Sequence, residues 1–315
     1  MQVFTINYPE KLPLAGMPER QVLAIGDFDG LHLGHREVIA KAVSAGKQSG
    51  LPVAVMTFHP HPRALLGRSQ YEQMLTPPEA KLALMKELGV DYVYVFVFHR
   101  TFSELAPDQF VERILMPLGI EKVVVGFDFS FGYQGKGTPG LLRELGQPRM
   151  AVEVVQAFHQ DGRKVSSTLI REALEEGRVE EAAVLLGRPY QVRGHVVEGR
   201  RLGRTIGFPT ANLELAEPYL LPRLGVYAVR VRETGRERSF AGAANLGVKP
   251  TIEGEGHRVS LEVHLLDYEG DLYGENLQVE FLHYIRPEQK FASLPDLVSQ
   301  IGKDVEEIRR RLQPV

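Results

Sequence analysis

The 315-residue chain contains no cysteine. Disulfides, thiolate nucleophiles and zinc-thiolate sites are therefore excluded, and an intracellular address becomes the natural expectation. Strong charge of either sign is also missing. A formal net charge of -3 supplies no basic field to grip a nucleic-acid backbone. Long apolar runs are absent: the longest, around Val93 to Phe98, sits between Asp91 and His99 and suits a buried strand rather than a membrane span. The first residues, Met1-Gln2-Val3-Phe4-Thr5, lack the basic and apolar regions of a signal peptide. No internal repeat, low-complexity segment or Walker G-x-x-x-x-G-K-S/T pattern occurs. These absences lead us to expect a soluble cytoplasmic protein without nucleic-acid or membrane partners.

What is present is ordinary globular composition, 43% hydrophobic and 24% charged, in a chain long enough for two cores. From residue 21 to about 155, strand-like runs alternate with helix-like segments, which predicts a parallel sheet covered by helices. The strands are expected at Gln21 to Ile25, Pro52 to Phe58, Tyr92 to Phe98, Lys122 to Val125 and Val152 to Val155. Leu82, Met85 and Leu88, and then Phe110, Ile114 and Leu118, recur at helical spacing. Two short helices are expected between Ser166 and Gly187, and Arg188-Pro189 then breaks the pattern.

Beyond Pro189, short alternating stretches with frequent glycine and proline predict an antiparallel barrel or sandwich. A domain boundary near 185 follows, giving modules of residues 1–185 and 186–315. Between Val259 and Leu265, Leu261, Val263 and Leu265 share one face while Glu262 and His264 share the other. A final helix from about Leu294 carries the apolar stripe Leu297, Ile301, Val305 and Ile308.

Gly26-Asp27-Phe28-Asp29-Gly30-Leu31-His32-Leu33-Gly34-His35 follows the first predicted strand and opens a helix. Unpaired N–H groups and the positive dipole end make such a start attractive to phosphate. His32 and His35, three apart, can face one ligand and donate hydrogen bonds to oxygens gaining charge at an attacked α-phosphate. The same residues could instead be a turn in which His32 caps the helix. Ser166-Ser167-Thr168 and Arg171 offer hydroxyls and a guanidinium suited to a triphosphate, or an ordinary N-cap beside a surface ion pair.

The two segments together resemble the nucleotidyltransferase superfamily. With Thr57-Phe58-His59-Pro60-His61-Pro62 and Val125 to Gly132 they are similar to its FAD synthetase branch. The resemblance implies a Rossmann-like, doubly wound α/β fold for this half. It implies ATP binding by Gly26, Phe28, Asp29, Gly30, His32, Gly34, His35, Ser166, Ser167, Thr168 and Arg171, with His32 and His35 catalytic. Flavin would be held by Asp128, a position often asparagine in relatives, and by His59.

In the second half, Gly194 to Leu213 combines closely spaced glycines and three arginines with Pro209-Thr210-Ala211-Asn212. Such a loop can wrap phosphates, and a threonine hydroxyl beside an asparagine amide can ligate Mg²⁺. It could equally be a basic hairpin with turn glycines. With Gly225-Val226-Tyr227-Ala228, Asn245-Leu246-Gly247 and Leu261 through Gly274 it resembles riboflavin kinase, which implies a compact antiparallel barrel. By that resemblance Gly203, Arg204, Gly207, Thr210 and Asn212 bind ATP and Mg²⁺, with Thr210 and Asn212 as metal ligands. Tyr227 and Glu262 would bind flavin, and Glu262 would be the base on the riboflavin hydroxyl, otherwise a polar-face strand residue. Ile252 departs from the aromatic usual in relatives.

A bifunctional riboflavin kinase and FMN adenylyltransferase is therefore expected, with riboflavin, FMN, FAD and ATP as its ligands. Two alternatives stand beside it: a different small-molecule nucleotidyltransferase with an unrelated appendage, and a flavin or nucleotide sensor without turnover.

Overall fold

A computed structural model of the chain describes residues 1–65, 67–199, 202–235, 238–250 and 257–312. Arg200 and Arg201, two of the three arginines counted above, and Ile252 lie outside the described residues. Contacts divide the chain into two compact units, Met1–Ser167 and Thr168–Val315.

The first unit is built on six parallel strands: β1 (Gln2–Ile6), β2 (Gln21–Ile25), β3 (Val53–His59), β4 (Tyr92–Val97), β5 (Ile120–Gly126) and β6 (Ala151–Val155), ordered β1-β4-β3-β2-β5-β6. Five of them occupy the predicted runs. β1 was not foreseen; it pairs with β4 at the sheet edge. Every residue of β2 is buried, as expected for a central strand covered on both faces. One face packs under α1 (Leu33–Ser49) and α3 (Pro78–Glu87), with Val38, Ile39, Ala42 and Met85 in the core. The other holds an aromatic cluster including Tyr94, Phe96, Phe102 and Phe110.

Among the described residues this unit also carries the shorter α-helices α2 (Pro62–Leu65), α4 (Arg100–Ser103), α5 (Pro107–Phe110), continued by a π turn over Val111–Leu115, and α6 (Pro139–Gly146), with 3-10 turns at Ser69–Tyr71 and Tyr133–Gly135. A small ribbon pairs β7 (His159–Gln160) with β8 (Arg163–Lys164). The strand order reverses around β2, whose neighbours are β3 and β5. Its carboxyl end is thus a topological switch point, where open α/β sheets hold ligands.

The second unit begins with α7 (Ser167–Glu175), whose first residue closes the first unit, and α8 (Val179–Leu186). The contact division therefore falls earlier than residue 185. The reason lies in α8, which rests on the barrel strands, while the Leu174 carbonyl accepts the Arg223 N–H at 2.8 Å.

The barrel is closed, in the order β10-β13-β12-β11-β14-β9. Its strands are β9 (Tyr190–Val197), β10 (Ala211–Leu215), β11 (Gly225–Glu233), β12 (Ser239–Pro250), β13 (His257–Leu265) and β14 (Asn276–Arg286), all antiparallel to their neighbours. A short helix, α9 (Leu202–Thr205), precedes β10. Alternation sorts β13 as predicted: Leu261, Val263 and Leu265 are buried, whereas Glu262 and His264 are partly exposed on the opposite face. The last helix, α10 (Leu294–Leu312), lies against the outside of the barrel, with Ile308 buried beside Ala228 and Leu266.

Candidate active sites

The histidine loop leaves β2 at the switch point. Phe28, Gly30 and Leu31 take φ of 55°, 88° and 43°. Left-handed backbone at the non-glycine residues Phe28 and Leu31 is strained, and strain of this kind gathers at functional sites. Buried Asp29 holds the turn, its Oδ1 accepting the N–H groups of Leu75 and Thr76 at 3.0 and 3.1 Å. The Ser167 hydroxyl donates to the Asp29 carbonyl at 2.9 Å, so that serine supports the loop. Ser166 is partly buried. Thr168, exposed, and Arg171, buried, belong to α7 in the second unit.

His32 is the N-cap of α1: its Nδ1 accepts the His35 N–H at 3.2 Å. That bond places the proton of neutral His32 on Nε2. The His35 ring stacks on His32 with centroids 3.6 Å apart, and Phe28 meets it edge-on at 5.4 Å. Burial, then the neighbouring His32 and Lys81, holds the His35 pKa well below the usual imidazole range. Its Nδ1 is buried and has no hydrogen-bond partner among the described residues. A Cβ on Gly34 would lie 3.2 Å from His32 Cε1, so glycine there makes room for the stacked ring. Of the two uses the sequence left open for His32, capping is the one this hydrogen bond displays.

Beside this loop a small cavity of about 30 Å³ is lined by Asp27, Thr57, His59, His61 and Lys81. His61 donates from Nε2 to Asp27 Oδ2 at 2.8 Å and accepts the Arg63 N–H through Nδ1 at 3.0 Å, so it serves to order the loop. His59 has its pKa lowered, chiefly by burial and then by Lys81. Lys81, 7% exposed, donates to the Asp27 carbonyl at 2.8 Å; the sequence reading missed it. A single lysine on an amphipathic helix carries no motif, so only the fold reveals its burial. Asp128 is exposed and pairs with Lys164 at 2.8 Å; Lys164 also lies 4.4 Å from the exposed Phe127 ring.

In the second unit, Glu262 lies opposite Asn212 on one neighbouring strand and opposite Asn245 on the other. Directly paired residues of antiparallel strands share a face, so a carboxylate is set between two amides in one row. Glu262 and Asn245 line a pocket of about 330 Å³ between the barrel and α10, together with Phe208, His264 and Phe291. Thr210 lines this pocket and also a second one of about 70 Å³, shared with Arg204, Asp271 and Tyr273. It therefore stands where the two pockets share a residue. Gly203 is required there, since a Cβ would fall 2.3 Å from the Phe208 carbonyl oxygen. Gly207 supplies a turn at φ 86°.

Hard oxygen donors suit Mg²⁺, which takes one or two protein ligands and completes its shell with phosphates and water. The Thr210 hydroxyl and Asn212 amide fit that requirement. A Cβ on Gly199 would sit 2.2 Å from Asn212 Nδ2, so the amide occupies the cradle left by that glycine.

The structure does not bring Tyr227 to the large pocket. It is fully buried within the barrel, its ring against Phe281 and Tyr284 and its hydroxyl donating to the Arg223 carbonyl. Strand parity explains this: Val226, one residue earlier, lines the pocket, so Tyr227 faces the other way. Asn245, Arg286 and Asp304 line that pocket but were absent from the expected site. Asn245 could have been found, because strand pairing places it beside Glu262.

A switch-point loop with paired histidines in one unit, and a barrel presenting a carboxylate between two amides in the other, define a two-module enzyme of phosphorus-group transfer. The FAD synthetase model matches residues 15–169 and the riboflavin kinase model residues 186–312. The bifunctional riboflavin kinase/FMN adenylyltransferase of Bacillus subtilis is 39% identical, with 98% of each chain covered. That of Listeria monocytogenes is 43% identical over 92% of this chain and 91% of its own. The chain belongs to the bifunctional riboflavin kinase/FMN adenylyltransferase family.

A solved chain described as a macrolide-efflux protein from Streptococcus pneumoniae has the same fold, with a TM-score of 0.88 and 34% identity over 97% of this chain and 98% of its own. Among the described residues no helix is long and apolar enough to cross a membrane. The match of the barrel to riboflavin kinase removes the reading of an unrelated appendage.

Proposed function

We infer that this chain phosphorylates riboflavin with ATP and then adenylylates the resulting FMN to FAD, releasing pyrophosphate. The observation that carries the first step is the row Asn212, Glu262 and Asn245 beside Thr210, which joins a large pocket to a smaller one. The large pocket is of a size for a ring system. Riboflavin there would present its 5′-hydroxyl to Glu262, which accepts the proton as oxygen bonds to the γ-phosphorus and ADP leaves. Arg204 and Thr210 would hold ATP from the smaller pocket, and Gly203, which lines the larger one, would let the nucleotide approach. Thr210 and Asn212 would hold Mg²⁺, which would draw charge from the phosphates.

In the first unit a phosphate oxygen of FMN attacks the α-phosphorus of ATP, and the bond to pyrophosphate breaks. No protein nucleophile is needed. His32 Nε2 would donate to the α-phosphate oxygens, and neutral His35 would hold the stacked pair in place and donate beside it. Helix-start N–H groups and Gly30 would receive phosphate, with Ser166 and Ser167 flanking the loop. His59 and Asp128 would position the flavin. The pairing of Asp128 with Lys164 would offset its charge beside the flavin phosphate. A cytoplasmic address fits these substrates.

Purified protein with riboflavin, ATP and Mg²⁺ should accumulate FMN and then FAD, resolved by chromatography. Failure to form either product would overturn the assignment.

A further inference from the structure

The final helix bears no diagnostic motif, yet the large pocket would lack part of its lining without it: Leu297, Ile301 and Asp304 of α10 line the same space as Glu262 and Asn245. What holds the helix there is a buried ion pair. Arg286, the last residue of β14, donates from Nε to both oxygens of Asp304 at 2.9 and 3.0 Å, and from Nη2 to Oδ2 at 2.7 Å. The two side chains are 17% and 5% exposed. Gln300 steadies Asp304 Oδ1 at 2.9 Å. The same guanidinium donates to the Pro287 carbonyl at 3.0 Å and lies 5.9 Å from the Phe291 ring. One side chain thus ties the end of β14, the connection that follows it and α10 together.

We propose that the Arg286–Asp304 pair is a positioning device that sets the width of the flavin pocket, and hence riboflavin affinity, by holding α10 and Phe291 against the barrel. This rests on the kinase reading of that pocket. The helix has a second anchor one turn further on, where Ile308 is buried beside Ala228 and Leu266. Loss of the pair therefore frees the pocket half of the helix, Leu294 to Ile301, while the far half stays docked. A fork of three hydrogen bonds fixes distance and angle together, which an apolar contact does not. Neither residue touches the reacting atoms in this scheme; both act through the wall they hold.

The test uses the full chain and three measurements: riboflavin binding by quenching of its fluorescence without ATP, steady-state FMN formation, and FAD formation from supplied FMN. Asp304→Asn keeps the shape and removes the charge. It should raise riboflavin Kd and KM by about tenfold while kcat and the ATP KM stay within about threefold, and FAD formation from FMN should hold. Arg286→Lys, which keeps charge but not the fork, should fall between Asp304→Asn and the wild type. An unchanged riboflavin Kd, an equal loss confined to kcat, or a rise in the ATP KM instead would overturn the proposal. If Asp304→Asn does not fold, Gln300→Ala takes its place; it should still raise riboflavin KM about twofold, and no change would overturn the proposal. A wild type that binds riboflavin but forms no FMN would overturn the kinase reading, and the binding measurement alone would then judge the pair.

Discussion

Gly34→Ala should separate stability from catalysis in the first module. Gly34 lies in the first turn of α1. Alanine there gains helix propensity, worth up to about 1 kcal/mol. Against that gain, the new Cβ would sit 3.2 and 3.3 Å from His32 Cε1 and Nδ1, tighter than an ordinary contact. His32 must give way, yet it is stacked on His35 and caps the helix. A weakened N-cap costs about 1 kcal/mol, so the two stability effects roughly cancel. A shift of the imidazole by a few tenths of an ångström acts on alignment, for which a fall of about ten- to a hundredfold in adenylyl transfer is expected. Chromatography of FAD formed from FMN and ATP reads that fall, while FMN formation from riboflavin in the same preparation serves as control. Undiminished FAD synthesis, or an equal loss of FMN formation, would refute the reasoning.

His35 also predicts a pH dependence. Its folded pKa lies well below the ordinary 6.5, so on acidification the unfolded chain takes up a proton that the folded chain refuses. The associated stability is present above pH 6.5 and declines as pH falls through that value, by up to about 1.4 kcal/mol per pH unit. Melting of the wild type and His35→Gln between pH 7.5 and 5.5 should give the shallower slope for the variant; equal slopes would contradict the assignment. Asp128→Ala removes an exposed carboxylate paired with Lys164, so it should cost under about 1 kcal/mol of stability yet raise the KM for FMN. A lowered Tm with unchanged KM would make the residue structural. Ile308→Ala, at a fully buried anchor of α10, should destabilise by about 2–4 kcal/mol in denaturant unfolding. A loss below 1 kcal/mol would mean the helix end is not packed as described.

Much of the first unit could be read from spacing because β2, the loop and α1 follow one another without interruption, and a buried strand next to a 3.6-residue period is a strong local signal. β1 escaped because its five residues are mostly exposed and its pairing partner, β4, lies far along the chain. In the barrel, alternation fixed the two faces of β13 but not which face carries the pocket. Tyr227 entered by resemblance, without a reading of the faces of its own strand, and Asn245 was quoted without being recognised as the neighbour of Glu262. The stripe on α10 was visible, but a stripe does not say what it covers. Its polar members Asp304 and Gln300, with Arg286, acquire meaning only from a three-dimensional pairing. Lys81 is the same case in the first unit: burial of a lone lysine depends on what surrounds it.

The central claim is that two independent transfers reside on one chain. Glu262→Gln, assayed for both products in one preparation, tests it most directly. The account predicts that FMN formation from riboflavin is abolished while FAD formation from supplied FMN continues at the wild-type rate. Retention of FMN formation, or loss of both activities in a folded protein, would contradict it.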